Sequence, residues 1–323
     1  AFMESKGITT PEEWRQWCSP VVPLLEMKKF CFEDGEKIQA KVKVANYGGS
    51  SLKGKKLKWR LAEDEGVLNI FSYDEGLVDV GELNGVFHVQ KPTKLLLTLN
   101  IEGTEARNSY ELWVYPKKAL EKKGVIIARD LNQEVVKVLE KGGKVLWMPD
   151  SLPYTVGGLF QTDYWNYRMF KTICENNKKK VSPGTLGILT NPEHPIFKGF
   201  PTEMHTNWQW FPVIKESHPL VLDNFAKDYR PIVQVIDNIE RNHKLGLVME
   251  WKVEAGKLLV CMSDLEKAAK YPEGKAFYQS VLNYMRSADF NPSAEITVDE
   301  LKKKLAEKPR QVSLKELNNI SQY

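Results

Sequence analysis

Along residues 20–116 apolar and polar positions alternate. Ile38, Ala40, Val42 and Val44 are separated by Gln39, Lys41 and Lys43, and Leu57, Trp59 and Leu61 by Lys58 and Arg60. Leu95, Leu97, Leu99 and Ile101 keep the same period, as do Tyr110, Leu112 and Val114. A period of two puts every second side chain on one face, so each run predicts a half-buried β-strand. Turn chemistry such as Tyr47-Gly48-Gly49-Ser50 separates the runs. Short strands with turns every ~10 residues and no long helical pattern predict a β-sandwich of immunoglobulin type. The Cys…Trp…Cys spacing of antibody domains is missing, so this likeness is one of architecture.

The pattern changes after Pro116-Lys117-Lys118. Gly124-Val125-Ile126-Ile127-Ala128 is a continuous apolar run, as in a strand covered on both faces. Leu131, Val135, Val138 and Leu139 fall at helical spacing, and Gly142-Gly143 ends that helix. Lys144-Val145-Leu146-Trp147-Met148 reads as a second buried strand. This β-α-β order predicts a parallel sheet. Further on, the spacing predicts a helix over 162–176 and strands over 185–190 and 231–237. A hairpin of 245–253 with 257–262 follows, turning at Glu254-Ala255-Gly256, and then a helix over 275–287. The expected organisation is a helical segment over 1–19, the sandwich over 20–116, an α/β domain over 117–292 and a polar helical tail over 293–323. The first segment opens with Thr10 as N-cap, Pro11 at the first helical position and then Glu12 and Glu13. The tail opens at Thr297 and carries a capping-box pattern at Ser313–Glu316.

A length of 323 residues allows about two domains at ~150 residues each. Hydrophobic residues make up 42% and charged residues 27%, which excludes a disordered or collagen-like chain. No apolar run reaches the ~18 residues of a membrane span. The net charge of +4 is small, and its lysine runs read as solvated surface, so nucleic acid is not expected as a partner. The sequence starts at Ala1 without a signal pattern, and reads as a processed protein or an excised piece.

The first strand of the α/β region runs into Ala128-Arg129-Asp130-Leu131-Asn132, without the glycines that let a backbone approach a pyrophosphate. A P-loop is also missing, so no nucleotide cofactor is expected. An amidotransferase needs a Gly-x-Cys-x-Gly elbow, and neither Cys174 nor Cys261 stands in one; both read as buried structural thiols. No Cys-x-x-Cys occurs, and the five histidines form no close pair, so no metal is expected. His205-Thr206-Asn207-Trp208-Gln209-Trp210 combines aromatic rings with polar groups and could stack on and hydrogen-bond to a sugar. Its ordinary reading has Trp208 and Trp210 alternating into the core of a strand. Asp237 and Asn238 follow a buried strand, where ligands of open α/β sheets sit, and Trp165 could face the same edge. Turn and capping duty is the ordinary reading of that pair. A hydrolase built on Asp237 or Cys261 is a third alternative.

The segment Ala1–Gly7, with Thr10–Cys18 and Pro20–Leu24, resembles the stretch that follows the catalytic barrel in bacterial glycoside hydrolase family 2 proteins of the β-galactosidase-like, sugar-binding kind. Ala45–Gly48 and Leu57–Leu61 are similar to their next, immunoglobulin-like module. Arg230–Asn238 with Gly256–Val260 is similar to their C-terminal flavodoxin-like, class I amidotransferase-like domain. The resemblance covers about nine-tenths of the chain. It implies an accessory region of a glycosidase acting on β-linked glycans, without catalytic residues of its own. Its implied partners are an upstream barrel of the same polypeptide, a glycan and a second copy of the chain. It also implies an extracytoplasmic location. The family's acid/base sits in an Asn-Glu dipeptide, which this sequence lacks, and the chain has no room for a barrel of ~250 residues beside two domains.

Overall fold

A computed structural model describes residues 7–72, 75–158, 184–238 and 241–309. The chain divides into two compact units, Ala1–Lys117 and Lys118–Tyr323.

The first unit opens with a short helix, α1 (Pro11–Arg15), closed by a capping box between Thr10 and Glu13. Eight strands follow: β1 (Val21–Glu26), β2 (Cys31–Glu33), β3 (Lys37–Asn46), β4 (Lys56–Leu61), β5 (Asp64–Asn69), β6 (Gly76–Val86), β7 (Thr93–Ile101) and β8 (Arg107–Tyr115). They form two sheets, in the orders β1-β3-β6 and β2-β8-β7-β4-β5. The alternation of β3 buries Ile38, Ala40, Val42 and Val44, which meet Leu57, Leu61, Leu97, Leu99, Ile101 and Leu112 of the other sheet. The unit is a β-sandwich, held by apolar area taken out of water on two facing sheets.

The second unit is built on one eight-stranded sheet. Its strands are β9 (Ile126–Ala128), β10 (Lys144–Trp147), β11 (Gly187–Thr190), β12 (Leu220–Val221), β13 (Val233–Ile236), β14 (Lys244–Val253), β15 (Gly256–Cys261) and β16 (Glu295–Ile296). Helix α2 (Gln133–Glu140) connects β9 to β10, and these two with β15 form the parallel core. The rest of the main path, β14, β13 and β11, runs antiparallel. The sheet is therefore mixed, where the β-α-β pattern predicted a parallel one; apolar runs mark burial on both faces but not strand direction.

Helix α2 is capped by the Asn132 side chain and ends on Gly142, which takes a positive φ. Its last turn lies against the β14–β15 hairpin so closely that a Cβ on Gly256 would stand 2.6 Å from the Gly143 carbonyl and 2.7 Å from that of Leu139. Two short helices, α3 (Phe211–Lys215) and α4 (Leu265–Ala268), and the longer α5 (Pro272–Arg286) follow in the same unit. Residues 293–306, read from sequence as part of a polar tail, instead add β16 to β14 and bury Val298, Leu301 and Leu305 of α6 (Val298–Ala306). Among the described residues no helix is long and apolar enough to cross a membrane. The helix expected over 162–176 and the capping box at 313–316 lie outside the described residues.

The close approach at Gly256 sets a prediction. Gly256→Ala forces backbone against backbone and should cost about 1–3 kcal/mol, the usual range for overpacking. Chemical denaturation of the variant beside the parent chain measures it.

Candidate functional site

The cleft of the second unit comes from a change of partner along β14. On one edge of β14, β13 pairs up to Val248, and β16 resumes the pairing at Lys252. Between them β14 faces an opening at Glu250. Pro231, just before β13, has no N–H to continue the ladder. The Tyr229 hydroxyl fills in, accepting from the Glu250 N–H and donating to the Glu250 carbonyl, both at 3.2 Å. Backbone polar groups at a sheet interior must find partners, and here one phenol serves two of them. The Tyr229 ring is fixed by stacking on Trp251, with centroids 4.9 Å apart and planes within 13°.

The opening is a cavity of about 870 Å³. Glu250, His194, Gln234 and Asn191 line it, with Asp228 and Arg230 of the 226–232 segment and Glu295 of β16. The Glu250 carboxyl accepts a hydrogen bond from the Tyr284 hydroxyl of α5 at 2.7 Å. Burial pushes its pKa above the ordinary carboxylate value, against the opposing pull of the Tyr284 hydrogen bond and of Lys257. The Tyr284 phenol is pushed up as well, by burial and then by the carboxylate beside it. His194 sits edge-on to the Tyr284 ring, centroids 5.2 Å apart. Its Nδ1 accepts the Ile196 N–H at 3.3 Å, at the start of a short 3-10 turn, Pro195–Phe197. Burial lowers the His194 pKa, which favours the neutral ring.

The residues singled out in the sequence lie elsewhere. Trp208 and Trp210 belong to a 3-10 turn, Trp208–Trp210, capped by Asn207, and not to a strand. Trp210 is fully buried among Phe197, Phe200 and Phe277, and its indole N–H is used by Thr202 at 2.8 Å. It cannot present a ring to a sugar. Trp208 is 55% exposed. His205 is exposed and bridges Leu189 at the margin of β11. The Asp237 carboxylate accepts from Arg241 Nη2 at 2.6 Å and Nε at 3.0 Å, and from the backbone N–H groups of Asn238 and His243. The Asn238 side chain accepts the Arg241 N–H. Both residues build the turn after β13, the ordinary role of Asp and Asn, and both Asp237 oxygens are engaged in holding it. Cys261 is buried at the end of β15, and its thiol is pushed up to about 12 by desolvation, so it is inert as a nucleophile. Trp165 and Cys174 lie outside the described residues. Among the described residues no group of three or more His, Cys, Asp and Glu is placed to hold a metal ion.

Sequence reasoning passed over Glu250. Its signal was a lone carboxylate inside the apolar run Leu245–Trp251, where an unpartnered charge is costly.

A family model described as a domain of unknown function (DUF8487) matches residues 126–306, more than half of the chain. The chain belongs to that family. The DUF8487 region contains the whole Glu250 cleft. A second model, described as a domain of unknown function (DUF8488), matches residues 36–116 of the sandwich. A search of curated proteins returns no match. Among solved structures, the CARDB domain of a Pyrococcus furiosus protein has 10% identity over 30% of this chain and 94% of its own, with a TM-score of 0.23. An Escherichia coli alpha-2-macroglobulin has 18% identity over 30% of this chain and 7% of its own, with a TM-score of 0.19.

Two outcomes are expected. Trp210→Ala should cost about 3–5 kcal/mol of stability, as for other buried tryptophans, measured by denaturant unfolding. For Glu250 the sign follows from its raised pKa: the folded state holds the proton more tightly than the unfolded one. Stability therefore falls as pH rises from the ordinary value of 4.5 through the raised one. Glu250→Gln does not titrate, so melting temperatures across that window should shift steadily in favour of the variant.

Proposed function

We propose that the chain is an accessory region of a glycoside hydrolase family 2, β-galactosidase-like protein, and that it binds β-linked glycan in the Glu250 cleft. In this reading the sandwich is the immunoglobulin-like module that follows a catalytic barrel. The second unit is an altered flavodoxin-like, class I amidotransferase-like domain that keeps a parallel core of β9, β10 and β15. Its partners are that barrel, glycan and a second copy of the chain, in an extracytoplasmic setting.

One observation carries the reading: a cleft of about 870 Å³ whose polar lining mixes carboxyl, amide, imidazole and guanidinium groups. Such a lining suits a ligand covered in hydroxyls, each of which both donates and accepts. The glycan site proposed here replaces the Trp208–Trp210 patch, because Trp210 is wholly enclosed.

The test is calorimetric titration of the purified chain with neutral β-linked oligosaccharides, alongside an assay on aryl β-glycosides. Saturable binding without turnover is expected. No binding across the panel would overturn the glycan reading. Turnover lost in Glu250→Gln would make the chain a hydrolase in its own right.

A further inference from the structure

We infer that the inner end of the cleft, where Glu250 and His194 meet Tyr284, grips an uncharged vicinal diol: two neighbouring hydroxyls of a neutral sugar or polyol. This deepens the glycan reading and rests on it for the identity of the sugar.

Each of the two side chains has one group left to offer. Tyr284 occupies Oε2 of Glu250, and Oε1 has no partner among the described residues. The Ile196 N–H occupies Nδ1 of His194. A nitrogen that accepts is unprotonated, so in the neutral ring the proton is on Nε2, which is left to donate. Tyr284, 4% exposed, touches both: its hydroxyl holds the carboxyl and its ring holds the imidazole. One buried phenol thus fixes an acceptor and a donor within a single cleft. A diol answers both, one hydroxyl donating to the carboxyl and its neighbour accepting from the imidazole.

Charge argues for a neutral ligand. Burial lowers the His194 pKa, so the imidazole brings no positive charge, and the Glu250 carboxyl brings none either. The other charged groups of the lining leave no cationic surplus. Asp228 and Arg230 have opposite signs, and Glu295 is paired with Lys252 at 3.0 Å. Nη1 of Arg230 is spent on the carbonyls of Lys227 and Tyr229. A phosphate or carboxylate would find weak attraction here. Stacking is also ruled out as the main grip at Tyr229, because Trp251 covers its ring and Lys244 Nζ lies 5.8 Å from the centroid. Recognition by hydrogen bonds to hydroxyls remains.

The test follows the His194 imidazole and Tyr284 ring signals by NMR in the full chain. The probes are cis-1,2-cyclohexanediol, cyclohexanol, methyl β-galactopyranoside and galacturonate. The diol and the galactoside should shift these signals saturably, with cyclohexanol and galacturonate weaker. In Glu250→Gln the amide oxygen accepts from Tyr284 and an N–H donor replaces the free acceptor, and His194→Phe removes the donor while keeping a ring against Tyr284. Each should weaken diol binding roughly three- to tenfold, the effect of one neutral hydrogen bond. Unchanged affinity in both folded variants, or equal binding of cyclohexanol, would overturn the inference. Diol binding without galactoside binding would leave the diol site standing and sink the glycan reading. Galactoside binding indifferent to both variants would do the reverse, and no binding by any probe would overturn both.

Discussion

The second unit depends on one constraint: β14 must satisfy its backbone along both edges, yet the pairing along one edge breaks at Glu250. Elsewhere on that strand neighbouring strands supply the ladder, and the side chains are free to be apolar. At the break the Tyr229 hydroxyl supplies both a donor and an acceptor. That substitution keeps β13 and β16 apart and leaves a cleft between them. The Glu250 carboxyl stands at the same break, and Glu250 is the one position from Leu245 to Trp251 that is not fully buried.

The carboxyl in turn requires support. A buried acid without a partner costs far more than a hydrogen-bonded one. Tyr284 gives that support from α5, and α5 is itself held by Phe277, Val281 and Leu282 in the core. The aromatic group around Trp210 packs on the same helix at Phe277. The tryptophan that the sequence suggested as a sugar platform therefore acts at a distance from the cleft: it packs the helix that carries Tyr284.

Much of the architecture was legible because burial imposes a period. The sandwich strands are covered on one face, so β3 and β7 announce themselves by alternation. The β14–β15 hairpin and α5 were legible for similar reasons. Strand direction was not legible, because a run buried on both faces looks the same parallel or antiparallel; hence the mixed sheet. Trp208 and Trp210 misled because a spacing of two marks a strand only where the backbone is extended, and Asn207 caps a 3-10 turn there. The cleft was hidden for a different reason. Its walls come from Asn191, His194, Tyr229, Gln234, Glu250 and Glu295, which only the sheet brings together, so no local motif could signal it.

The most direct measurement is a crystal structure of the chain soaked with methyl β-galactopyranoside. The sugar is expected in the Glu250 cleft, with one hydroxyl about 2.6–3.2 Å from Glu250 Oε1 and its neighbour at a similar distance from His194 Nε2. Sugar seated against Trp208, or against any other surface with the cleft holding none, would contradict it.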